Sequence, residues 1–341
     1  MKAAIVTRDN ALERPVRSAR QVHDIRTEVA LIVRTTHGIG VGVVSPQPVT
    51  VLGDPGVNEV LESLRTRGVE RLRAVGRIPG NRNWAQVHGL FAEAPRDRWA
   101  AAAVEAAVLD LEASESRRPW SEILGSGETS FQCVGSLLGG GITVNPLAAR
   151  YRIKISTNSN LDFSELRRVS VPVLLDFNGD TADVATVAAI VEDARRHANV
   201  VGLEQAWAVG DFNRPAELRR AGLWVSHDES IRSVGDVRHA IRYKAVDAVA
   251  LKPARCGGFA VAREISRRAS HAGVECYVGG FFEGPLGRFR NHLLAQSLSA
   301  GPSDVLHTQT GLPVTSEEAE RDRAEWIERA DRAGEWIEVG G

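Results

Sequence analysis

The chain has 341 residues, with 42 Lys or Arg against 43 Asp or Glu, and a formal net charge of -1. This balance argues against a nucleic-acid partner and against an anionic membrane, since both favour concentrated basic residues. No apolar stretch is long enough to span a bilayer. The three cysteines form no CxxC pair, and the N-terminus lacks the apolar core of a signal peptide. A protein of the reducing cytoplasm is therefore expected.

Residues 1–125 are predicted to form a small α+β module. The β-branched run at 29–33 and a second run ending at Val44 predict an antiparallel pair of strands. Residues 38–42 carry glycine at alternate positions, and we interpret them as a plain turn, because a dinucleotide loop would be followed directly by an amphipathic helix. The Ala-rich segment 99–115 consists of good helix formers and predicts a helix.

From residue 151 onward, short apolar runs alternate with amphipathic segments. The predicted strands are 151–155, 171–175, 200–203, 223–226, 248–251 and 275–278, and the predicted helices are 182–197, 215–221, 233–243 and 260–273. Such alternation is typical of βαβ units and a parallel sheet. Both an open doubly wound sheet and a closed barrel satisfy it.

An ionisable residue closes or follows most of these runs, at intervals of about one βα unit. The five positions are Lys154, Asp176, Glu204, Asp228 and Lys252. In a closed barrel such side chains converge on the carboxyl-terminal face, where active sites lie, whereas an open sheet would spread them along an edge. Charged residues are also common in solvated βα loops, where Asp caps helices. The repetition in register nevertheless favours a barrel with a functional site.

The chemistry of this set divides into two parts. Asp176, Glu204 and Asp228 are three carboxylates that repel one another when close together, unless a cation lies between them. Three hard oxygen donors completed by water suit Mg²⁺, or Mn²⁺ at a similar site. Lys154 and Lys252 lie on either side of this trio along the chain. Two facing lysines could remove a proton from one side of a substrate and return it on the other.

At these positions the sequence resembles the enolase superfamily, specifically its muconate-lactonizing subgroup of o-succinylbenzoate synthases, N-acylamino acid racemases and dipeptide epimerases. The similar segments are RIKIS (152–156), LLDFNGD (174–180), GLEQAW (202–207), SHDESI (226–231), LKPARCGGF (251–259) and YVGGFFEGPLGRFRN (277–291). The resemblance implies catalysis by Lys154 and Lys252 and metal binding by the three carboxylates. The resemblance also places Arg152, Asn178 and Glu229 around the metal ligands, and Gly279, Gly280 and Glu283 at the substrate pocket.

The same resemblance implies an α/β fold, a modified (β/α) TIM-type barrel covered by an α+β capping domain. The expected boundaries are 1–125 for the cap, 126–315 for the barrel and 316–341 for a C-terminal segment returning to the cap. The charged tail with its two tryptophans either packs on the cap or forms a solvated helix. Arg17, Arg20 and the 45–53 loop are candidate substrate contacts, although surface arginines often serve only for solvation. Family members often associate through barrel and cap surfaces, which is compatible with a homo-oligomer.

Three departures from the family pattern affect these expectations. Arg152 replaces the first lysine of the KxK segment and keeps the cation but cannot serve as a base. Phe177 stands where the family residue is usually small, which predicts an altered pocket near the metal. Dipeptide epimerases carry an acidic pair that holds the substrate ammonium, and residues 306–311 lack it.

The resemblance implies divalent-metal-dependent abstraction of the proton α to a carboxylate, with a metal-stabilised enolate as the intermediate. Our first interpretation is an N-acylamino acid racemase or o-succinylbenzoate synthase-like enzyme with a small-molecule carboxylate as substrate. A dipeptide epimerase, a muconate cycloisomerase-type enzyme and a non-catalytic metal-binding descendant are the alternatives. A metal-dependent aldolase or hydrolase on the same barrel would leave the paired lysines without a joint role.

Cys256 is interpreted as a packing residue, because no nearby histidine marks it as a nucleophile.

Overall fold

The computed structural model describes residues 1–17, 22–75, 97–127, 133–137, 148–155, 162–179, 183–306 and 312–339; of 13–17, 22, 23, 75 and 133–137 it describes only the backbone. The strands are β1 (Lys2–Arg17), β2 (Val22–Arg34), β3 (Ile39–Val44), β4 (Cys133–Leu137), β5 (Ala148–Lys154), β6 (Val173–Asp176), β7 (Val200–Glu204), β8 (Trp224–His227), β9 (Ala248–Leu251), β10 (Glu275–Val278) and β11 (Ile337–Glu338). The α-helices are α1 (Val57–Ser63), α2 (Val69–Val75), α3 (Arg98–Ser116), α4 (Trp120–Leu124), α5 (Val184–Arg195), α6 (Asn213–Arg220), α7 (Val234–Arg242), α8 (Pro253–Cys256), α9 (Phe259–His271), α10 (Pro285–Ser297) and α11 (Ser316–Ala333). A π-helical segment, Leu64–Gly68, joins α1 to α2, and a 3-10 helix covers Ser164–Arg168.

Strands β4 to β10 form one parallel sheet in which they neighbour each other in chain order. From β6 onward a helix follows each strand, because a parallel connection must cross over the sheet. An ion pair of 3.2 Å between Arg150 on β5 and Glu275 on β10 joins two strands that four others separate in the sheet. An open sheet would keep these strands far apart, so the sheet curves towards a barrel.

Strands β11, β1, β2 and β3 form a separate antiparallel sheet. The predicted pair of strands is confirmed, since Val29 lies opposite Val44 and Ala30 opposite Val43. Strand β1 was not predicted, because its sequence mixes charged and apolar residues without a β-branched run. The first residues of the chain also pair with its last strand, with Lys2 opposite Glu338.

The interpretation of the alternating glycines as a plain turn is wrong. Gly40 and Gly42 lie within β3 and face helix α3, which covers the whole predicted range and one further residue at each end. A Cβ atom at Gly40 would overlap the carbonyl of Ala107, and one at Gly42 would overlap that of Ala103. Paired glycines and alanines therefore let the strand and the helix backbone approach more closely than side chains would allow.

The C-terminal helix α11 packs on the antiparallel sheet. Trp326 is fully buried in a cluster that includes Val6 and Ile32. The Arg8 guanidinium lies 4.3 Å from the Trp326 ring centroid and forms a 2.6 Å ion pair with Asp322 of the same helix. The alternative prediction, that the tail forms a solvated helix, is therefore wrong.

Within the described part of the chain, no helix combines the length and the apolar character that crossing a bilayer requires.

Candidate active site

Consecutive strands carry the five predicted ionisable residues to one end of the parallel sheet. Lys154, Asp176 and Glu204 are the last residues of β5, β6 and β7. Lys154 lies opposite Asp176 in the strand register, and Asp176 lies opposite Glu204. Asp228 and Lys252 directly follow β8 and β9. All three carboxylates have no exposed surface, so the structure assembles a buried acidic row.

Each predicted catalytic lysine contacts one carboxylate of this row. The Lys154 ammonium donates a hydrogen bond to Asp176 Oδ2. On the other side, Lys252 Nζ donates to Asp228 Oδ2 over 2.8 Å. The two amines thus flank the acidic row, with Glu204 between the carboxylates that they contact.

Glu204 differs from Asp176 and Asp228 in that its hydrogen-bond partners are an arginine and a tyrosine instead of a lysine. Burial and the neighbouring Asp176 charge raise the pKa of Glu204 to about 7. Its Oε1 accepts from Arg152 Nη1 over 3.4 Å, and its Oε2 accepts from the Tyr277 hydroxyl over 2.6 Å. Arg152 also donates to Asp304 and approaches Asp176 within 3.7 Å. Although burial opposes the guanidinium charge, Glu204 and Asp304 keep the pKa of Arg152 well above its ordinary value.

Asp228 is held by two cations. Burial by itself would raise the pKa of Asp228, but Arg255 and Lys252 keep it well below its usual range. Arg255 Nη1 donates to Asp228 Oδ1. The same guanidinium donates to Asp54 from Nε over 3.0 Å and from Nη2 over 2.6 Å. A residue at the edge of the candidate 45–53 loop is therefore connected to a predicted metal ligand.

A second arginine fastens this loop to the barrel. Arg232 Nη2 donates to the Leu52 carbonyl, and Arg232 Nε donates to the Glu229 carbonyl over 2.8 Å. The sequence interpretation missed Asp54 and Arg232. Neither lies in a motif of the acidic row, although Arg255 is part of the LKPARCGGF segment.

Asn178 and Glu229 lie beside the acidic row, as expected. The Asn178 backbone N–H donates to Asp176 Oδ1 over 2.9 Å, and its amide donates to Glu229 Oε1 over 3.2 Å. Burial and the Asp228 charge raise the pKa of Glu229. Within the described residues, the remaining oxygen of each side chain, Asn178 Oδ1 and Glu229 Oε2, is buried without a hydrogen-bond donor. Buried oxygens without donors are uncommon and fit a nearby cation.

The donor set fits a hard divalent cation by its chemistry. It contains three buried carboxylates on neighbouring strands and two further oxygen atoms without donors, and Mg²⁺ prefers oxygen ligands. In the described arrangement, no three His, Cys, Asp or Glu side chains are grouped as metal ligands. Lysine and arginine groups instead contact the carboxylates, so metal binding requires some of these contacts to be exchanged.

Gln205, which follows Glu204, joins two of the strand ends. Its Oε1 accepts from the backbone N–H groups of Asp228 and Ser230 over 3.2 and 3.0 Å. Its amide donates to Ser230 Oγ and to the Trp207 carbonyl. The Gln of the GLEQAW segment thus holds the loop after β8 in place.

The predicted substrate-pocket residues follow β10. A Cβ atom at Gly279 would lie 3.1 Å from Lys252 Cε, so glycine leaves room for this lysine. The Phe281 ring lies 4.6 Å from Lys252 Nζ. Gly280 packs against the carboxylate of Glu283, and Glu283 lines a cavity of about 30 Å³ between β3, α3 and the start of α10. A cavity of this size accommodates a water molecule rather than a substrate.

One expectation for the pocket is wrong, and others fall outside the described residues. Phe177 is fully buried in an apolar cluster with Val187 and Trp207, so it does not alter the pocket near the carboxylates. The side chains of Arg17 and Arg20 and residues 307–311 of the predicted ammonium region lie outside what the structure describes.

Comparisons with known proteins agree with this architecture. The model of the enolase C-terminal domain-like family matches residues 163–326. The N-succinylamino acid racemase of Amycolatopsis sp. is 32% identical over 226 residues, covering 62% of this chain and 61% of that protein. The o-succinylbenzoate synthase of Listeria innocua is 28% identical over 223 residues, covering 62% and 59%. The match thus spans about three fifths of the length of these relatives.

A solved structure extends the comparison to most of the chain. The dipeptide epimerase of Enterococcus faecalis, complexed with Mg and the dipeptide L-Leu-L-Tyr, has a TM-score of 0.73 and 18% identity, and the match covers 89% of each chain. This likeness shows the fold, and the prediction of a TIM-type barrel with an α+β capping domain is confirmed.

The fold and the site define a (β/α)-barrel protein with a buried row of carboxylates between two lysines. The predicted resemblance to the enolase superfamily, specifically to its muconate-lactonizing subgroup, is confirmed by the match at residues 163–326 and by the relatives named above.

Proposed function

We propose that the protein is a divalent-metal-dependent enzyme that removes the proton α to a carboxylate, with Lys154 and Lys252 as its two bases. One observation carries this proposal: both lysines contact the ends of a fully buried row of three carboxylates. A structural ion-pair network has no need of lysines on both flanks. A metal-binding descendant without catalysis would have no need of both bases either.

Asp176, Glu204 and Asp228 would hold Mg²⁺, or Mn²⁺, and the metal would supply positive charge beside the substrate carboxylate. With a metal in place of their lysine contacts, these carboxylates would leave both amines free to face the substrate. An unprotonated Lys154 or Lys252 then accepts the α-proton, and the opposite lysine stands on the other face. Arg152 keeps its charge among the carboxylates and takes no part in proton transfer.

The fate of the substrate distinguishes the candidate reactions. Racemisation or epimerisation follows when both lysines exchange protons with the same carbon. Dehydration of the o-succinylbenzoate synthase type follows when one lysine removes the α-proton and passes it to the β-hydroxyl, which leaves as water, while the second lysine remains a cation. We propose an N-acylamino acid racemase or o-succinylbenzoate synthase-like activity, supported by the two relatives with these names.

A dipeptide epimerase is the second candidate, favoured by the fold shared with a dipeptide-bound enzyme. The absence of an acidic pair from the sequence of residues 306–311 counts against it. We further propose a small-molecule carboxylate substrate and a cytoplasmic location. Assembly into a homo-oligomer stays a prediction from the family.

Deuterium exchange tests the proposal directly. The protein would be incubated in D₂O with Mg²⁺ and N-succinyl amino acids, dipeptides or a succinylbenzoate precursor, and the α-position followed by NMR. We expect deuterium to enter one of these substrates, and Lys154→Ala and Lys252→Ala each to slow exchange by about 10² to 10⁴-fold, as is typical for loss of a general base.

Lys2→Ala serves as the control, because Lys2 forms an exposed ion pair with Glu338 on the antiparallel sheet. Elimination that survives partly in Lys252→Ala would favour the dehydratase. If Mg²⁺ binds but no carboxylate in the panel exchanges its proton, the non-catalytic alternative replaces the enzymatic one.

A further inference from the structure

A chain of hydrogen bonds crosses the interior of the barrel below the acidic row. Tyr277 on β10 and Ser226 on β8 are both buried. The Tyr277 hydroxyl lies 2.5 Å from Ser226 Oγ and 2.6 Å from Glu204 Oε2. Three strands are thus connected through one phenol, and although each of the three residues stands in a segment noted in the sequence, the segments do not predict this contact.

The direction of these hydrogen bonds follows from the chemistry of the groups. A carboxylate that binds a metal is ionised and can only accept hydrogen bonds. The single hydroxyl hydrogen of Tyr277 must then point to Glu204. Ser226 consequently donates its own hydrogen to the Tyr277 oxygen, which keeps the phenol hydrogen directed at the carboxylate.

Tyr277 is the more specific of the two groups that hold Glu204. Arg152 reaches Glu204 over 3.4 Å and shares its charge with Asp176 and Asp304. Among the described residues, Tyr277 hydrogen-bonds one carboxylate, that of Glu204. Glu204 Oε2 is therefore held by the neutral hydroxyl of Tyr277, and the packing of strand β10 sets the position of this hydroxyl.

We propose that Tyr277, supported by Ser226, is a positioning residue that orients Glu204 for divalent-metal binding. This inference rests on the proposed function, because it takes Glu204 to be a metal ligand. Strand β10 and the residue that follows it then serve the site together, since Tyr277 of the strand holds Glu204 and Gly279, directly after it, leaves room for Lys252. Partners that orient a ligand typically change metal affinity by about 10 to 100-fold when they are removed.

The test measures Mg²⁺ binding to the full-length protein by isothermal titration calorimetry, without substrate. We expect Tyr277→Phe, which removes only the hydroxyl, to raise the Mg²⁺ dissociation constant about 10 to 100-fold. Tyr243→Phe is the matched control, because Tyr243 is exposed. Thermal unfolding of each variant without metal separates an effect on folding from one on binding.

A double-mutant cycle adds a readout that general destabilisation would not produce. Ser226→Ala should weaken Mg²⁺ binding in the wild-type background but have little further effect in Tyr277→Phe, because Ser226 acts through the phenol. With an exchanging substrate, Tyr277→Phe should need more Mg²⁺ for half-maximal rate but approach wild-type kcat at saturating Mg²⁺.

The possible outcomes separate the two proposals. An unchanged dissociation constant in Tyr277→Phe, or a lower melting temperature alone, overturns the role of Tyr277 and leaves the proposed function intact. Additive effects of the two substitutions overturn the role of Ser226. If the wild-type protein binds no Mg²⁺, the proposed function fails, and the role of Tyr277 fails with it.

Discussion

Glu105 makes the free energy of unfolding of this protein depend on pH, and a single substitution at this residue measures that dependence. Its carboxylate is fully buried on helix α3 of the cap and accepts from the backbone N–H groups of Phe259 and Ala260, the latter over 3.0 Å. These groups begin the barrel helix α9. Burial raises the pKa of Glu105 from 4.5 to about 7, although both N–H donors act against this shift.

The magnitude and sign follow from this difference. The increase from 4.5 to about 7 corresponds to about 3 kcal/mol, at about 1.4 kcal/mol per pKa unit. The folded state binds the proton more tightly than the unfolded state. The contribution of Glu105 to stability is therefore fully present below about pH 4.5 and is lost as the pH rises to about 7.

Glu105→Gln removes the titration, and urea unfolding followed by circular dichroism at several pH values measures its effect. The amide adds a constant offset, because it cannot accept both hydrogen bonds. On top of this offset, we expect the stability of the variant relative to wild type to rise by about 3 kcal/mol between pH 4.5 and 7.5. The exposed Glu70→Gln is the control for loss of a carboxylate.

Taking the difference between two proteins cancels the titration of all other groups. A difference in unfolding free energy that stays constant over this pH range would refute the reasoning. A difference that changes in the opposite direction would show that the two N–H donors and the positive end of α9 outweigh burial.

Two further predictions concern the same region of the protein. Gly258→Ala should destabilise the protein by about 3 kcal/mol or more in urea unfolding, because Gly258 has φ of +134° and a Cβ atom there would overlap the Glu105 carboxylate. Gly273→Ala, at φ +71° with open space around it, should cost about 1 kcal/mol; equal losses for both would contradict the steric explanation. Burial raises the thiol pKa of Cys256 to about 11 and that of Cys276 to about 12, so iodoacetamide should leave both unlabelled in the native protein, as checked by peptide mass spectrometry. Rapid labelling of either thiol in the folded state would contradict their assignment to the core.

The positions of ionisable residues at the ends of single strands could be predicted without a structure. Asp176 and Lys252 each come directly after an apolar run, and the length of one βα unit places such positions at the same edge of a parallel sheet. Their residue types then indicate metal binding and proton transfer. Helix α3 was predicted for a similarly local reason, because its alanines and other helix formers act within the segment itself.

Local patterns were misleading where the partner is distant. The sequence pattern at Gly40 and Gly42 predicted a turn, but both residues lie in a strand. They must be small because the backbone of a helix some 60 positions later packs directly against them. Phe177 follows a predicted metal ligand in sequence but points to the opposite side of the sheet, because neighbouring residues of a strand alternate between its faces.

The sequence by itself determined the carboxylates, the lysines and their spacing along the barrel. Only the tertiary structure decided what holds them in place. Tyr277 donates a hydrogen bond to Glu204, and Asp54 of the cap loop accepts one from Arg255, which also contacts Asp228. These pairs are separated by 73 and 201 residues. Hydrophobic periodicity indicates which face of its own helix or strand a residue occupies. The partners of that residue are selected when the barrel closes and the cap packs on it. Neither event leaves a repeating pattern in the chain.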